Sequence, residues 1–120
     1  MMSKERCLPP RFQLRMFGFA IDCYASAKRP RWATDPGRYG YWDPNYDPPR
    51  LWACTKWPWE EQRRTVLHEL GHQIIHSMRL KFGTEEEEDT FLLALERCLD
   101  ALLAENPMLL GMYLPKGTNK

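Results

Sequence analysis

A short stretch in the middle of the chain carries residue types that can bind a divalent metal and activate a water molecule. It reads His68-Glu69-Leu70-Gly71-His72. At a rise of about 1.5 Å per residue, two histidines four positions apart lie on one helix face, about 6 Å apart along the axis, so both imidazoles can reach one ion. Zinc, held about 2.0–2.1 Å from each nitrogen, fits this spacing. The pattern predicts one zinc ion bound by His68 and His72, with Glu69 beside the first ligand as the general base.

The same spacing also occurs on ordinary, partly buried helices that bind no metal. Here the neighbouring positions form an apolar face, and Gly71 permits close packing beside the second histidine. His76 lies about 12 Å from His68 along the axis, too far to complete the same site, so we interpret it as a residue that supports the ligands. The apolar residues that flank the motif, and that favour a buried site over a surface pair, are Val66, Leu67, Leu70, Ile74 and Ile75.

The third metal ligand must come from outside the motif. The chain contains three histidines in all, so this ligand has to be a carboxylate or a thiolate. A second helix is predicted to start with a capping box at residues 84–87, inside a run of acids. Its apolar face projects back onto Glu88, and an acid on a buried face needs a partner. The sequence therefore predicts Glu88 as the third ligand, followed by Asp89 and then Glu85. The apolar face is set by Phe91, Leu92, Leu95, Leu99, Leu102 and Leu103.

Composition limits the classes of protein to which the chain can belong. Its 120 residues suffice for one domain with one core. No apolar run approaches the ~20 residues of a membrane span, and no secretory apolar segment follows the N-terminus, so we expect a cytoplasmic protein that does not enter a membrane. The net charge is +1. Basic residues outnumber acids in the first half, but no nucleic-acid-binding motif is recognisable there, so we expect no nucleic-acid partner.

Alternating polar and apolar residues predict a β-rich first half. A hairpin is expected over residues 11–16 and 19–24, a short strand over 38–43, and another over 50–55, where proline-rich loops indicate an edge strand. The inward residues of the hairpin are expected to be Phe12, Leu14, Met16, Phe19, Ile21 and Cys23.

The second half is predicted to be helical. The motif helix should run from about Pro58 to Met78 or Arg79, and the second helix should end at Glu105, before Pro107. The fold class is therefore α+β, with a small antiparallel sheet of about three to four short strands packed on the motif helix and a C-terminal helix. One domain is expected, made of a lead-in (1–10), a β-rich part (11–56), a two-helix part (57–106) and a tail (107–120).

The four cysteines, Cys7, Cys23, Cys54 and Cys98, are widely spaced and form no C-x-x-C pair. In a chain without a visible secretory signal, this spacing predicts reduced and mostly buried thiols and not a disulfide framework. Cys98 is expected in the core, on the apolar side of the last helix.

The segment from Arg64 to His76, with the acidic helix start after it, resembles the small zinc-dependent peptidases of the ImmA/IrrE type, a compact gluzincin-like family best known from phages and mobile elements. The likeness covers roughly residues 38–110 and includes the Asn106-Pro107 pair. It implies a zincin-like fold, zinc held by the motif histidines and a downstream acid, and the cytoplasm of a bacterial or phage-infected cell. No helix-turn-helix module accompanies it. Candidates for stabilising an oxyanion are Tyr39, Tyr41 and His76.

These features predict a zinc metalloendopeptidase that hydrolyses peptide bonds in a protein substrate. The substrate could bind as an added strand along the predicted edge strand near Leu51–Cys54. One alternative is a noncatalytic protein-binding module that keeps the zinc scaffold, although such a scaffold has no need of Glu69. A further alternative is a DNA-associated protease of the SprT kind, which predicts salt-sensitive DNA binding.

Overall fold

The computed structural model describes residues 6–34 and 39–114, in which four strands precede three helices. The α+β fold class is therefore confirmed. Residue 38, the predicted start of the third strand, and the ends of the predicted lead-in and tail lie outside the described residues. The strands are β1 (Arg11–Met16), β2 (Phe19–Ser26), β3 (Gly40–Asp43) and β4 (Arg50–Cys54), and the helices are α1 (Trp59–Met78), α2 (Glu85–Glu105) and α3 (Pro107–Gly111).

The β1–β2 hairpin forms as its alternating pattern predicts. Phe17 and Gly18 make the two-residue turn, with φ values of 54° and 84°, as a hairpin turn that matches the strand twist requires. Ile21 and Cys23 are fully buried, whereas Phe19, also expected to face inward, is 36% exposed. Phe19 begins β2 directly after the turn, so the rest of the sheet does not cover it.

The strand order is β1-β2-β4-β3, with β2 and β4 parallel and the other pairs antiparallel. The sheet is thus mixed, and the prediction of a purely antiparallel sheet is wrong. The prediction that residues 50–55 form an edge strand is also wrong, because β4 lies between β2 and β3. Four consecutive residues, Leu51–Cys54, are buried, which is typical of an inner strand covered on both faces.

The sheet buries one cluster on each face. Ile21, Cys23 and Leu51 lie on the face that meets α1, where Leu70 packs on them. Burial raises the pKa of the Cys23 thiol to about 12, so this cysteine is inert at neutral pH. The other face carries Ala33, Trp52 and Cys54, against which Tyr24, Trp32 and Tyr41 pack.

All four cysteines are free, but only half of them are buried. Cys23 and Cys54 lie in the two clusters of the sheet, while Cys7 and Cys98 are exposed. The prediction that Cys98 belongs to the core is wrong, because α2 turns a different face toward α1.

The two long helices begin and end close to where the sequence predicts. α1 ends at Met78, and Arg79 takes a left-handed conformation with φ of 57°. The predicted capping box opens α2: the Thr84 hydroxyl accepts a hydrogen bond from the Glu87 backbone N–H, and the Glu87 carboxylate accepts one from the Gly83 N–H, both at 3.0 Å. Among the described residues, no helix has the length and apolar character that a membrane crossing requires.

The face that α2 turns toward α1 is largely polar. It buries Leu92, Glu96 and Asp100. Leu92 packs against Gly71, where an added Cβ would lie 2.5 Å from the leucine Cδ2. The predicted apolar face is therefore rotated out of the helix interface, and most of its members are between 37% and 49% exposed, namely Phe91, Leu95, Leu99 and Leu102.

Replacing Asp100 with asparagine should weaken the pairing of α1 with α2. The Asp100 carboxylate accepts hydrogen bonds from Arg63 at 2.6 and 3.1 Å and from Arg64 at 3.2 Å. The arginines are partly exposed, so we expect Asp100→Asn to lower the free energy of unfolding at pH 7 by about 2 kcal/mol, below the value for a fully buried pair. Urea unfolding of both proteins measures this difference.

The difference in unfolding free energy between wild type and Asp100→Asn should depend on pH, because it depends on the charge of the Asp100 carboxylate. The hydrogen bond from Arg63, followed by that from Arg64, lowers the pKa of Asp100 below its ordinary value of 3.8. The stabilisation is therefore complete above about pH 5 and is lost as the pH falls through the lowered folded-state pKa. Glu105→Gln, a similar change at the exposed end of α2, serves as the control. If the unfolding free energies of Asp100→Asn and wild type still differed by the same amount well below pH 3, this account would be contradicted.

Candidate metal centre

Two imidazoles from α1 and one carboxylate from α2 converge at the centre of the site. The Asp89 Oδ1 atom lies 3.6 Å from His68 Nε2 and 3.4 Å from His72 Nε2. One ligand atom from each residue can be chosen so that all three lie within 4.8 Å of one another. A tetrahedral ion held about 2.0–2.1 Å from its ligands separates them by about 3.3–3.4 Å. The donor atoms are therefore spaced as a single small cation requires, and the two N···O distances exceed those of good hydrogen bonds.

Two further carboxylates contact the far sides of the imidazoles, one on each ring. The Nδ1 atom of His68 lies 2.6 Å from Glu96 Oε1, and that of His72 lies 2.7 Å from Glu88 Oε2. An ionised carboxylate can only accept, so each neutral ring donates from Nδ1 and keeps the Nε2 lone pair free. Paired imidazole and carboxylate groups of this kind orient the ligands of many metal sites.

The structure changes the order of the predicted third ligands. Glu88, the first choice, contacts the Nδ1 of His72 and not the point where the two Nε2 atoms meet. Asp89, the second choice, occupies that point. Glu85 is exposed one turn earlier on α2 and is not part of the group of donor atoms. The shift from Glu88 to Asp89 follows from the rotation of α2 toward its polar face.

The ring of Trp42, on β3, fixes the position of the second histidine. It stacks on His72 with a centroid distance of 5.5 Å and an angle of 10° between the planes. The indole N–H donates a hydrogen bond of 2.8 Å to Gln73. His76 meets the same indole edge-on, at 5.5 Å, so it packs beside the site and is not among the three donor residues.

The two tyrosines that were candidates for an oxyanion donor lie in different places. Tyr39 lines the cleft beside His68 and packs edge-on against Trp57 at 4.8 Å. The Tyr41 ring belongs to the cluster on the opposite face of the sheet, and its hydroxyl accepts a hydrogen bond of 3.3 Å from Thr34. Of the two, Tyr39 therefore remains the candidate donor, because the Tyr41 ring packs in the cluster on the far face of the sheet.

Glu69 is buried at the junction between β3 and α1, with 7% of its surface exposed. Gly40 allows β3 to lie close to α1 at this junction. An added Cβ at Gly40 would lie 2.5 Å from Thr65 Cγ2, 2.6 Å from the Trp52 carbonyl oxygen and 3.3 Å from Glu69 Cγ. A side chain at position 40 would therefore force β3 away from the helix. Only glycine lets the strand approach the glutamate this closely.

Negative charge surrounds the first histidine. Burial is the largest influence on the pKa of His68 and lowers it, but the hydrogen bond to Glu96 and the nearby charges of Glu69, Glu96 and Asp89 together outweigh burial and raise the pKa above its ordinary value. The centre thus attracts positive charge.

An open cleft runs past the centre between β3 and α2, with α1 as its floor. It has two halves, of about 400 Å³ and about 350 Å³. Gly40, Glu69 and Asp89 line both halves, so the candidate metal centre lies where they meet. A substrate in the cleft would pass directly over these residues.

Glu96 is a site residue that sequence reasoning missed. It follows Asp89 by seven positions and precedes Asp100 by four, a spacing that places all three on one face of a helix. Glu96 was overlooked because apolar residues were used to define the buried face. The repeat of acids was the signal that could have revealed it.

Comparisons of the chain with known protein families, with curated proteins and with solved structures gave no match. What the site does must therefore be inferred from its own geometry.

Proposed function

We propose that this protein is a zinc-dependent peptidase that hydrolyses peptide bonds in a protein substrate. One observation carries the proposal: two imidazole nitrogens and one carboxylate oxygen converge at metal-ligand spacing, next to a buried glutamate, in an open cleft. The Nδ1 contacts to Glu96 and Glu88 favour metal ligation over a simple ion pair, because they leave both Nε2 atoms available.

The donor set fits zinc. Two histidine nitrogens and one carboxylate oxygen are common ligands of catalytic zinc, for which three protein ligands leave a position open to water or substrate. His68, His72 and Asp89 would hold the ion. When bound, zinc supplies a Lewis acid and lowers the pKa of a coordinated water toward neutrality.

Glu69 moves the proton in this proposal. It follows the first histidine in sequence and lines both halves of the cleft. Its carboxylate accepts a proton from the attacking water and then passes that proton to the nitrogen of the leaving amine. Tyr39 is the candidate for a hydrogen-bond donor to the carbonyl oxygen under attack.

The free edge of β3 supports an extended peptide as the substrate. The Cys54 N–H donates to the Tyr39 carbonyl at 2.7 Å, and bonded and non-bonded pairs alternate along an antiparallel ladder. The N–H and C=O groups of Gly40 and Trp42 therefore point away from β4 and can pair with an added strand. We thus move the proposed peptide site from Leu51–Cys54, which lies inside the sheet, to β3.

We place this activity in the cytoplasm, because the four unpaired thiols favour a reducing compartment. Membership of the ImmA/IrrE-type peptidases stays a prediction, because the comparisons do not bear on it. No nucleic-acid partner is proposed.

Metal analysis together with a cleavage assay tests the proposal. We expect the purified protein, prepared without chelator, to contain about one zinc ion per chain by plasma mass spectrometry. It should also cleave a proteome-derived peptide library, lose this activity after dialysis against a chelator, and recover it with zinc. Zinc at this ratio without any cleavage would favour a noncatalytic binding module. The absence of any bound metal would overturn the proposal.

A further inference from the structure

The two ends of the cleft differ in charge. The half beside His68 is lined by two arginines, Arg64 and Arg97, together with acids, whereas the half beside His72 is lined by acids and by no basic residue among the described ones. The acids are Glu61, Glu69, Asp89 and Glu96 in the first half and Glu69, Glu85, Glu88 and Asp89 in the second. A peptide that lies along the cleft therefore meets basic side chains at one end only. Its own charges must match this arrangement if it is to bind well.

Glu61 and Glu96, two of the acids at the end that carries the arginines, already have partners within the protein. Glu61 lies 3.6 Å from Arg64, and Glu96 lies 2.6 Å from the Nδ1 of His68. In the described part of the chain, no hydrogen bond or ion pair engages Arg97, although its side chain lines the cleft. Its guanidinium offers several donors in a planar fork, which matches the geometry of a carboxylate. Arg97 is therefore the group at this end that remains available to a ligand.

The position of Arg97 on α2 fits a contact with a substrate residue near the cleaved bond. Arg97 follows Asp89 by eight positions, about 12 Å along the helix axis, with Leu93 between them in the wall of the cleft. An extended peptide advances about 3.4 Å per residue. A side chain roughly two to four residues from the metal centre would therefore lie within reach of Arg97.

From these observations we propose that Arg97 forms a subsite for a carboxylate, so that the preferred substrates carry an acidic residue on the side of the cleaved bond that faces Tyr39. This inference rests on the proposed peptidase function and adds a substrate class to it. Leu93 and Tyr39 line the same half of the cleft as Arg97, so apolar groups are present there for the stem of a glutamate.

Binding of position-scanning decapeptides tests the inference without relying on catalysis. In each peptide one position is Glu, Gln or Lys, and both ends are capped. Affinity is measured by fluorescence anisotropy with the zinc-loaded Glu69→Gln protein. At one position we expect Glu to bind about three-fold more tightly than Gln, as for a partly exposed ion pair, and the preference should fade at high salt. A second series with a free C-terminus distinguishes a terminal carboxylate from a side-chain one.

A charge reversal at the subsite provides the decisive comparison. Arg97→Glu, made in the same background, should invert the preference from Glu to Lys at that position, whereas the matched change Lys81→Glu, outside the cleft, should leave it as it is. Equal affinity for Glu, Gln and Lys at every position, or a preference that survives Arg97→Glu, would overturn the subsite. Cleavage by the wild-type protein distinguishes the two proposals. Cleavage without a preference for acids would support the peptidase function and contradict the subsite. A preference that depends on Arg97, without any cleavage, would support the subsite and contradict the peptidase function.

Discussion

Glu69→Gln should abolish peptide hydrolysis while the metal stays bound. Glutamine has almost the same shape as glutamate and can occupy the buried position between β3 and α1, but at neutral pH it cannot take a proton from water. General-base catalysis typically contributes about 10²- to 10⁴-fold to a rate, so we expect kcat/KM to fall by about 1,000-fold. Cleavage of the best library peptide, followed by mass spectrometry, measures the rate, and plasma mass spectrometry measures the zinc.

Glu60→Gln is the matched control, because it makes the same change on an exposed side chain in the first turn of α1. It should retain the wild-type rate and zinc content. If Glu69→Gln hydrolysed peptides as fast as wild type, Glu69 would not be the base. If this variant lost its zinc, the rate would say nothing about proton transfer, and zinc-reconstituted protein would have to be measured instead.

Asp89→Ala should abolish metal binding, whereas Glu88→Gln should only lower the metal affinity. Asp89 supplies the oxygen that faces both Nε2 atoms, whereas Glu88 contacts only the far side of His72. Loss of a group that merely orients a ligand typically costs about 10- to 100-fold in metal affinity. We expect Glu88→Gln to fall in this range and Asp89→Ala to exceed it. Competition with a chromogenic zinc chelator gives both affinities.

Glu86→Gln controls for the loss of negative charge near the site, because Glu86 lies exposed in the same turn of α2. Its zinc affinity should match that of wild type. The opposite ranking, with Glu88→Gln losing far more affinity than Asp89→Ala, would show that Glu88 is the ligand, as the sequence alone predicted, and that the carboxylate turns when the ion binds.

Local features of this chain could be predicted from the sequence because neighbouring residues determine them. The hairpin turn at Phe17 and Gly18, the capping box at Thr84 and the ends of both long helices depend on contacts a few positions apart. The histidine pair is equally local, since helix geometry alone brings His68 and His72 to one face. These predictions required no knowledge of how the elements pack.

The strand order could not be predicted, because it depends on contacts between distant segments. β4 follows β3 in the chain and pairs with it, but its other neighbour is β2, which ends at Ser26. The proline-rich loop before β4 was interpreted as the mark of an edge strand, although it only connects β3 to β4. The run of buried residues in Leu51–Cys54 was the better indicator of an inner strand.

The sequence ranks Glu88 before Asp89 as the third donor, and the structure favours Asp89 for a related reason. A hydrophobic face is normally the buried one, and on α2 that rule points to Glu88. Here the interface with α1 buries two acids, Glu96 and Asp100, because His68 and the arginines of α1 provide them with partners. The resulting rotation of α2 brings Asp89 into the centre. The nature of a helix partner can outweigh the hydrophobic pattern when the buried groups are paired.

The donor atoms of the proposed site are divided between two helices, with both imidazoles on α1 and the carboxylate of Asp89 on α2. An ion bound there would link the two helices across an interface in which α2 buries two acids, Glu96 and Asp100. Because such an ion binds only when both helices are in place, its affinity would add directly to folding stability. Scarcity of zinc in the cell would then lower the abundance of this protein as well as its activity, since the empty form would open more readily to degradation.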